Sequence, residues 1–286
     1  MDEQIADLLN LLELEQLEVN LFRGESRDIG SPQVFGGQVL GQALTAASMT
    51  VEGRIVHSLH AYFLRRGDFN APIVYSVDRS LDGRSFSNRR VIAIQHGQQI
   101  FNMTASFQVM EQGIEHQIAM PDVPPPEDLP DFSRPPRELF ERLPEHLKRF
   151  IEKPRPFEFR MVQPFDPERP KAPPARQVWF RATSRLPDDE ALHRCLLAYV
   201  SDYNLLDTAT LPHGSFLSGT FQLASIDHAM WFHRPVRVDD WLLYAVESPS
   251  ASGARGFARA SVFSRDGRLV ASTAQEGLVR VIAPRG

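Results

Sequence analysis

Asp202 is the residue whose surroundings most need a chemical explanation. It lies in PDDEALHRCLLAYVSDYNLL, Pro187 to Leu206, a predicted helix apolar on nearly every face, with Ala198, Tyr199, Leu205 and Leu206 around it at helical spacing. An unpaired charge is expensive to bury, so such a carboxylate is paired, protonated or at work. At work, it would be a general base whose pKa burial has raised. Otherwise it is a helix-end acid paired with an arginine or a backbone N–H.

Other chemistry-bearing types are fewer. His57, His60, His228 and His233 flank predicted strands in both halves of the chain. A hydration enzyme would use a histidine as its base, but their occurrence in both halves favours packing or hydrogen bonding. The one cysteine, Cys195, excludes an intramolecular disulfide and lies in the apolar helix, with no adjacent base to activate it. No group of Cys and His has zinc-ligand spacing. Gly36, Gly37 and Gly41 fit neither G-x-G-x-x-G nor a P-loop, and no G-x-S-x-G elbow occurs, since Gly214-Ser215 fails the pattern.

The elements that must position these residues come in two similar sets. After an acidic amphipathic helix at the N-terminus and the strand-like VNLFRGES, the small-residue segment Phe35 to Met49 reads as an enclosed helix. VHSLHAYFL, PIVYSVDRSL, RSFSNRRVIAIQ and QQIFNMTASFQV then read as an antiparallel meander with turns at Asp82-Gly83 and His96-Gly97. Residues 112–175 hold most of the 22 prolines and read as a linker region with one helix in RELFERLPEHLKRF, near Pro144.

Beyond the linker the order repeats: the strand RQVWFRAT, the Asp202 helix, then FQLASIDHAMWFH, WLLYAVESP, GARGFARASVFS and RLVASTAQEGLVRV. HAYFL at His60 answers HAMWF at His228, and VYSV at Val74 answers LYAV at Leu243. This pattern predicts a duplicated α+β module, with repeats at 1–111 and 176–286 joined by 112–175. The first helix carries Gln42 and Thr45 but no acid to match Asp202, so one active site per chain is expected, in the second repeat.

Composition narrows the partners. With 286 residues, 42% hydrophobic and 23% charged, the chain has the balance of a globular protein with room for two cores. A net charge of −5 argues against a nucleic-acid footprint. The N-terminus lacks a basic n-region and cleavage site, and no run approaches the ~20 apolar residues of a membrane span. A cytoplasmic location without stable membrane insertion is expected.

FGGQVLGQAL, HSLHAYFLRRGD, DGRSFSNRRVIAIQ, SDYNLL, LPHG, IDHAMWFHRP, WLLYAVES, ARGFARA and LVASTAQEG together resemble the acyl-CoA thioesterase II family, over almost the whole chain. That resemblance implies a double hotdog fold, in which two long helices are each wrapped by a curved antiparallel sheet. It also implies hydrolysis of fatty acyl-CoA, medium- to long-chain, to the free acid and CoA, without metal or redox cofactor. The family's S-D-x-N acid falls on Asp202, the hydroxyl before I-D-H on Ser225 and the S-T-x-Q-E-G glutamine on Gln275, where they would surround an attacking water. Many relatives carry threonine at the Ser225 position; serine keeps the hydroxyl and loses the methyl that stiffens χ1. On composition alone neither Ser225 nor Gln275 stands out, and Glu276 should face the other side of its strand. Arg65, Arg66, Arg89 and Arg90 are candidate phosphate partners, and homo-oligomers are expected. The alternatives are a hotdog enoyl-CoA hydratase or dehydratase and a non-catalytic acyl-CoA or acyl-carrier binding module.

Overall fold

The computed structural model describes residues 2–31, 33–131, 137–142, 148, 153–163, 171–214 and 220–282. Helix α1 (Glu3–Leu12) opens the chain, capped where the Asp2 side chain accepts from the Gln4 N–H, and it buries Ile5, Leu8, Leu11 and Leu12. The expected strand after it is a hairpin, β1 (Glu15–Glu18) and β2 (Leu21–Gly24). Helix α2 (Gly36–Ser48) follows, buried on almost every side, then β3 (Ile55–Phe63), β4 (Ile73–Asp82), β5 (Phe86–Gln95) and β6 (Gln98–Gln108). In the proline-rich stretch a short α3 (Arg137–Arg142) covers the start of RELFERLPEHLKRF; the part of that predicted helix at 143–147 and 149–150 lies outside the described residues. β7 (Phe157–Met161) and β8 (Ala175–Ala182) come next. The Trp179 indole N–H donates to the Pro124 carbonyl (2.9 Å), and Met120, Val123 and Leu129 pack with Trp179, Trp241, Leu243 and Phe263 on the outer face of the sheet.

Helix α4 (Glu190–Val200) is shorter than predicted. Asp189 caps it by accepting from the Leu192 N–H, Ser201 closes it, and Asn204 at φ +60° cannot continue a right-handed helix. A 3-10 turn, Leu206–Thr210, follows. The apolar pattern runs through to Leu206 because this turn is buried as fully as the helix, and periodicity does not separate the two. Asp202 therefore stands two residues past the helix end.

FQLASIDHAMWFH, expected as one strand, is two: β9 (Phe221–Ser225) and β10 (Asp227–Phe232). They break at Ile226, whose N–H donates to the Glu276 carbonyl while its own carbonyl accepts from the Phe63 N–H. β11 (Leu242–Ser252), β12 (Arg255–Ser264) and β13 (Leu269–Val281) complete one antiparallel sheet in the order β1-β2-β4-β5-β6-β3-β10-β13-β12-β11-β8-β7, with β9 also on β13. The seam is β3 against β10, running from Tyr62 opposite Asp227 to Ser58 opposite Trp231.

Helices α2 and α4 pack together inside this sheet, in one core that runs through both halves. Their approach is set by Gly37, where an added Cβ would lie 2.1 Å from the Tyr199 carbonyl oxygen. The seam also separates two histidines that looked equivalent in sequence. His228 pairs with Ala61 on the buried face, whereas His60 pairs with Ala229 on the exposed face, edge-on to Trp231. The HAYFL and HAMWF similarity is thus out of structural register by one residue, which in a strand means the opposite face. Among the described residues no helix is long and apolar enough to cross a membrane.

Candidate functional site

β13 supplies the centre of the site. Gln275 points inward on this strand and is 1% exposed, while its neighbour Glu276 points outward and pairs with Arg255 (3.0 Å). The Gln275 Nε2 donates to Asp202 Oδ1 at 2.8 Å, lies 3.1 Å from Ser225 Oγ and 3.3 Å from His228 Nδ1. Residues from the turn after α4, the end of β9, the start of β10 and the middle of β13 thus converge. The break at Ile226 is what lets Ser225 and His228 both reach one amide. The Gln275 Oε1, by contrast, is buried without a hydrogen-bond partner among the described residues.

Among the described residues Asp202 meets no arginine. Its side chain is 7% exposed, and burial pushes its pKa up to about 6, against the opposing hydrogen bonds from Gln275 and from the Gly37 N–H at the start of α2. Of the sequence alternatives, pairing with an arginine does not occur among the described residues, while backbone and amide hydrogen bonding is present. A group so placed holds or releases a proton near neutral pH, as a general base must.

The first half contributes as well. An added Cβ on Gly36 would lie 2.6 Å from Asp202 Oδ2 and 3.0 Å from Phe63 Cε1. Helix α2 therefore begins against the carboxylate, with its N–H groups and positive dipole end directed there. This contact stabilises the ionised form, yet burial outweighs it.

The other sequence candidates separate cleanly. His57 Nε2 bonds to Ser106 Oγ (2.8 Å) and His233 Nε2 to Ser272 Oγ (2.9 Å), matching packing roles in the two halves. His228 is different: it is fully buried, its pKa drops to about 4 because of that burial, and it touches Gln275. Burial likewise pushes the Cys195 thiol up to about 11, so it is not a nucleophile at neutral pH. Arg89 is 2% exposed and spends its donors on Thr50, Leu81, Asn88 and Asp82, so it is a core strut and not a phosphate partner. No group of three or more His, Cys, Asp or Glu that could hold a metal occurs among the described residues. A surface pocket of about 700 Å³ lined by Arg181, His193, Arg237 and Trp241 lies apart from the site, and Arg181 and Arg237 are already paired with Glu158 and Asp239.

Sequence reasoning weighed His228 as a base and set it aside for packing, weighed Gly36 and Gly37 only against phosphate-binding motifs, and placed none of the three in the site. The signals that could have placed them there were the glycine pair at a predicted helix start and a histidine three residues after Ser225.

Comparison with known proteins adds independent information. A family described as acyl-CoA thioesterase matches residues 159–278, and a second, described as acyl-CoA thioesterase N-terminal domain, matches residues 23–108. Acyl-CoA thioesterase 2 of Haemophilus influenzae is 46% identical, over 98% of this chain and 99% of its own. Human acyl-coenzyme A thioesterase 8 is 42% identical, over 95% of this chain and 88% of its own. The crystal structure of an acyl-CoA thioesterase II from Mycobacterium marinum superimposes with a TM-score of 0.79 at 45% identity, covering 96% of this chain and 99% of that one. A hot dog fold protein from Alicyclobacillus acidocaldarius, 21% identical, shares the fold at a TM-score of 0.77 over 97% of this chain and 99% of its own.

Proposed function

This chain belongs to the acyl-CoA thioesterase II family, and from that premise we propose that it hydrolyses medium- to long-chain fatty acyl-CoA to the free acid and CoA by direct attack of water at the Asp202 site. The observation that carries the mechanism is the amide of Gln275 held between Asp202 Oδ1 and Ser225 Oγ beside a carboxyl raised to about 6. Asp202 takes the proton of the water. Ser225 Oγ and Gln275 hold that water by hydrogen bonds, with the free Oε1 of Gln275 as one acceptor. As the water oxygen bonds to the thioester carbon, the carbonyl becomes an oxyanion. The Gly36 N–H at the start of α2 is the donor assigned to it, since the Gly37 N–H is held by Asp202 and those of Gln38 and Val39 go to the Phe35 carbonyl. The tetrahedral species then collapses, the C–S bond breaks, and Asp202 returns its proton to the departing sulfur, so that the acid and CoA thiol leave and the carboxylate is restored.

The same reading treats 1–111 and 176–286 as two hotdog repeats joined by 112–175, the double hotdog arrangement, in a cytoplasmic protein that forms dimers or larger oligomers. What supports it is the ordered pair of units meeting at the β3–β10 seam, with β1 and β7 left as edge strands. Light scattering on the purified protein checks the assembly; a monomer at micromolar concentration overturns that part.

For the activity, release of free thiol from palmitoyl-CoA is followed with a thiol reagent. Turnover above background is expected, and its absence overturns the thioesterase reading; hydration of an enoyl-CoA instead would select a hydratase, and acyl-CoA binding without either a carrier. Gln275→Ala and Ser225→Ala should each cost on the order of 10-fold in kcat. Full activity in both would remove them from the site.

A further inference from the structure

The hydrogen-bond roles around His228 follow from counting hydrogens. The Ser201 hydroxyl has one, and it goes to the Ala198 carbonyl at 2.9 Å. Its oxygen, 3.0 Å from His228 Nε2, is therefore an acceptor there, and the histidine must carry its proton on Nε2. Ser201 is itself held, since Tyr244 donates to its carbonyl (2.8 Å) and can then only accept from Thr273 (2.9 Å). With the proton on Nε2, Nδ1 of His228 offers a bare lone pair to the Gln275 amide at 3.3 Å; of the two amide hydrogens one goes to Asp202 Oδ1 (2.8 Å) and the second is shared between Ser225 Oγ (3.1 Å) and this lone pair. The buried ring cannot be charged at neutral pH, so that lone pair persists.

We infer that His228 is a positioning residue that fixes the orientation of the Gln275 amide, forbidding the flipped form and so keeping Oε1 as the bare acceptor that the proposed water requires. A flip would set Oε1 against two acceptors, Nδ1 of His228 and Oδ1 of Asp202, and would turn the NH2 to where the acceptor is needed. Asp202 alone does not hold the orientation through a reaction cycle, because it becomes a donor whenever it takes up a proton. His228 does not change state, and its orientation is set from behind by Ser201, Tyr244 and Thr273. The inference deepens the proposed water activation and rests on Gln275 taking part in it.

Two replacements divide the histidine's contacts. The side-chain oxygen of asparagine sits where Nδ1 stands, whereas the end of glutamine reaches where Nε2 stands. His228→Asn should keep kcat within about threefold while lowering Tm, and His228→Gln should keep the Ser201 contact and Tm but lose on the order of 10-fold in kcat with KM unchanged. A kcat that follows Tm in both variants, or wild-type turnover by His228→Gln, overturns the inference. In the Gln275→Ala background His228→Gln should cost nothing further; an undiminished additional loss also overturns it. In the 15N spectrum of histidine-labelled wild-type protein, the signal lost in His228→Gln should show a protonated Nε2 and a bare Nδ1, as that of the other buried histidine, His193, also should because its Nδ1 accepts from the Val238 N–H; the opposite tautomer at His228 overturns the inference. Failure of the thioesterase reading shows instead as absent thiol release by the wild-type enzyme.

Discussion

Each half of the chain buries a polar cluster beside its helix, and the two differ in what is left over. In the first half, Gln42 donates to the Leu11 and Glu25 carbonyls and accepts from the Tyr75 hydroxyl at 2.7 Å, while Gln38 bonds to the Glu25 carbonyl and accepts from the Arg27 N–H. Each amide there, buried completely, has partners on both its oxygen and its nitrogen. In the second half, Gln275 is equally buried, but its oxygen has no partner among the described residues and its neighbour is an acid raised to about 6. A closed network holds a fold together; one left open beside an ionisable group costs stability and can do chemistry.

Asp202→Asn is the most severe way to break that contrast. It should lower kcat by about 10² to 10⁴-fold, the usual worth of a general base, in the thiol-release assay. The same change should stabilise the protein. A raised carboxyl pKa means that the folded chain binds the proton more tightly than the unfolded chain. The ionisation cost is thus absent below about pH 4, develops between about 4 and 6, and is fully present above 6. Two units correspond to roughly 3 kcal/mol as an upper bound, so at pH 8 Asp202→Asn should melt higher than wild type and at pH 3.5 should not.

In the first half the effects should be reversed. Gln42→Ala strands two carbonyls and a tyrosine hydroxyl, which should cost about 3 kcal/mol in denaturant unfolding while kcat of the folded fraction stays near wild type. A large loss of kcat with intact stability would erase the distinction between the clusters. The pH dependence sharpens it: kcat/KM should fall about tenfold per pH unit below about 6, as the free enzyme's base takes up its proton, and Gln42→Ala should leave that limb in place. The smallest effect is expected from Tyr75→Phe, about 1 kcal/mol of stability and no change in rate.

Most of the architecture was legible because both periods were clear: helical spacing over Phe35 to Met49, and alternating strands with Gly-bearing turns. The boundaries around the site were not. Pro187 to Leu206 read as one helix because a buried turn carries the same apolar residues as a buried helix, and only the left-handed Asn204 ends the ambiguity. The join of β9 and β10 was invisible because Ile226 is as strand-like as its neighbours. Asp202 was legible as an acid with no apparent partner. Ser225 and Gln275 entered only through family resemblance, since their closeness depends on strand pairing between residues 50 positions apart. His228 was set aside with His60 because a one-residue slip in a strand alignment leaves sequence similarity almost intact while exchanging inside for outside.

The contact between Gly36 and Asp202 joins the two halves at the proposed site. Were the units separate and identical, any change suiting a helix start to its neighbour's acid would be imposed on both copies, each having to serve as donor and as base. Linked in one chain, they divide the labour: one half is free to refine how it presents a helix end, the other how it buries a carboxylate. Asymmetry of this kind is inherited as a single unit, so substitutions on either side of the seam can compensate one another without a partner gene having to change in step.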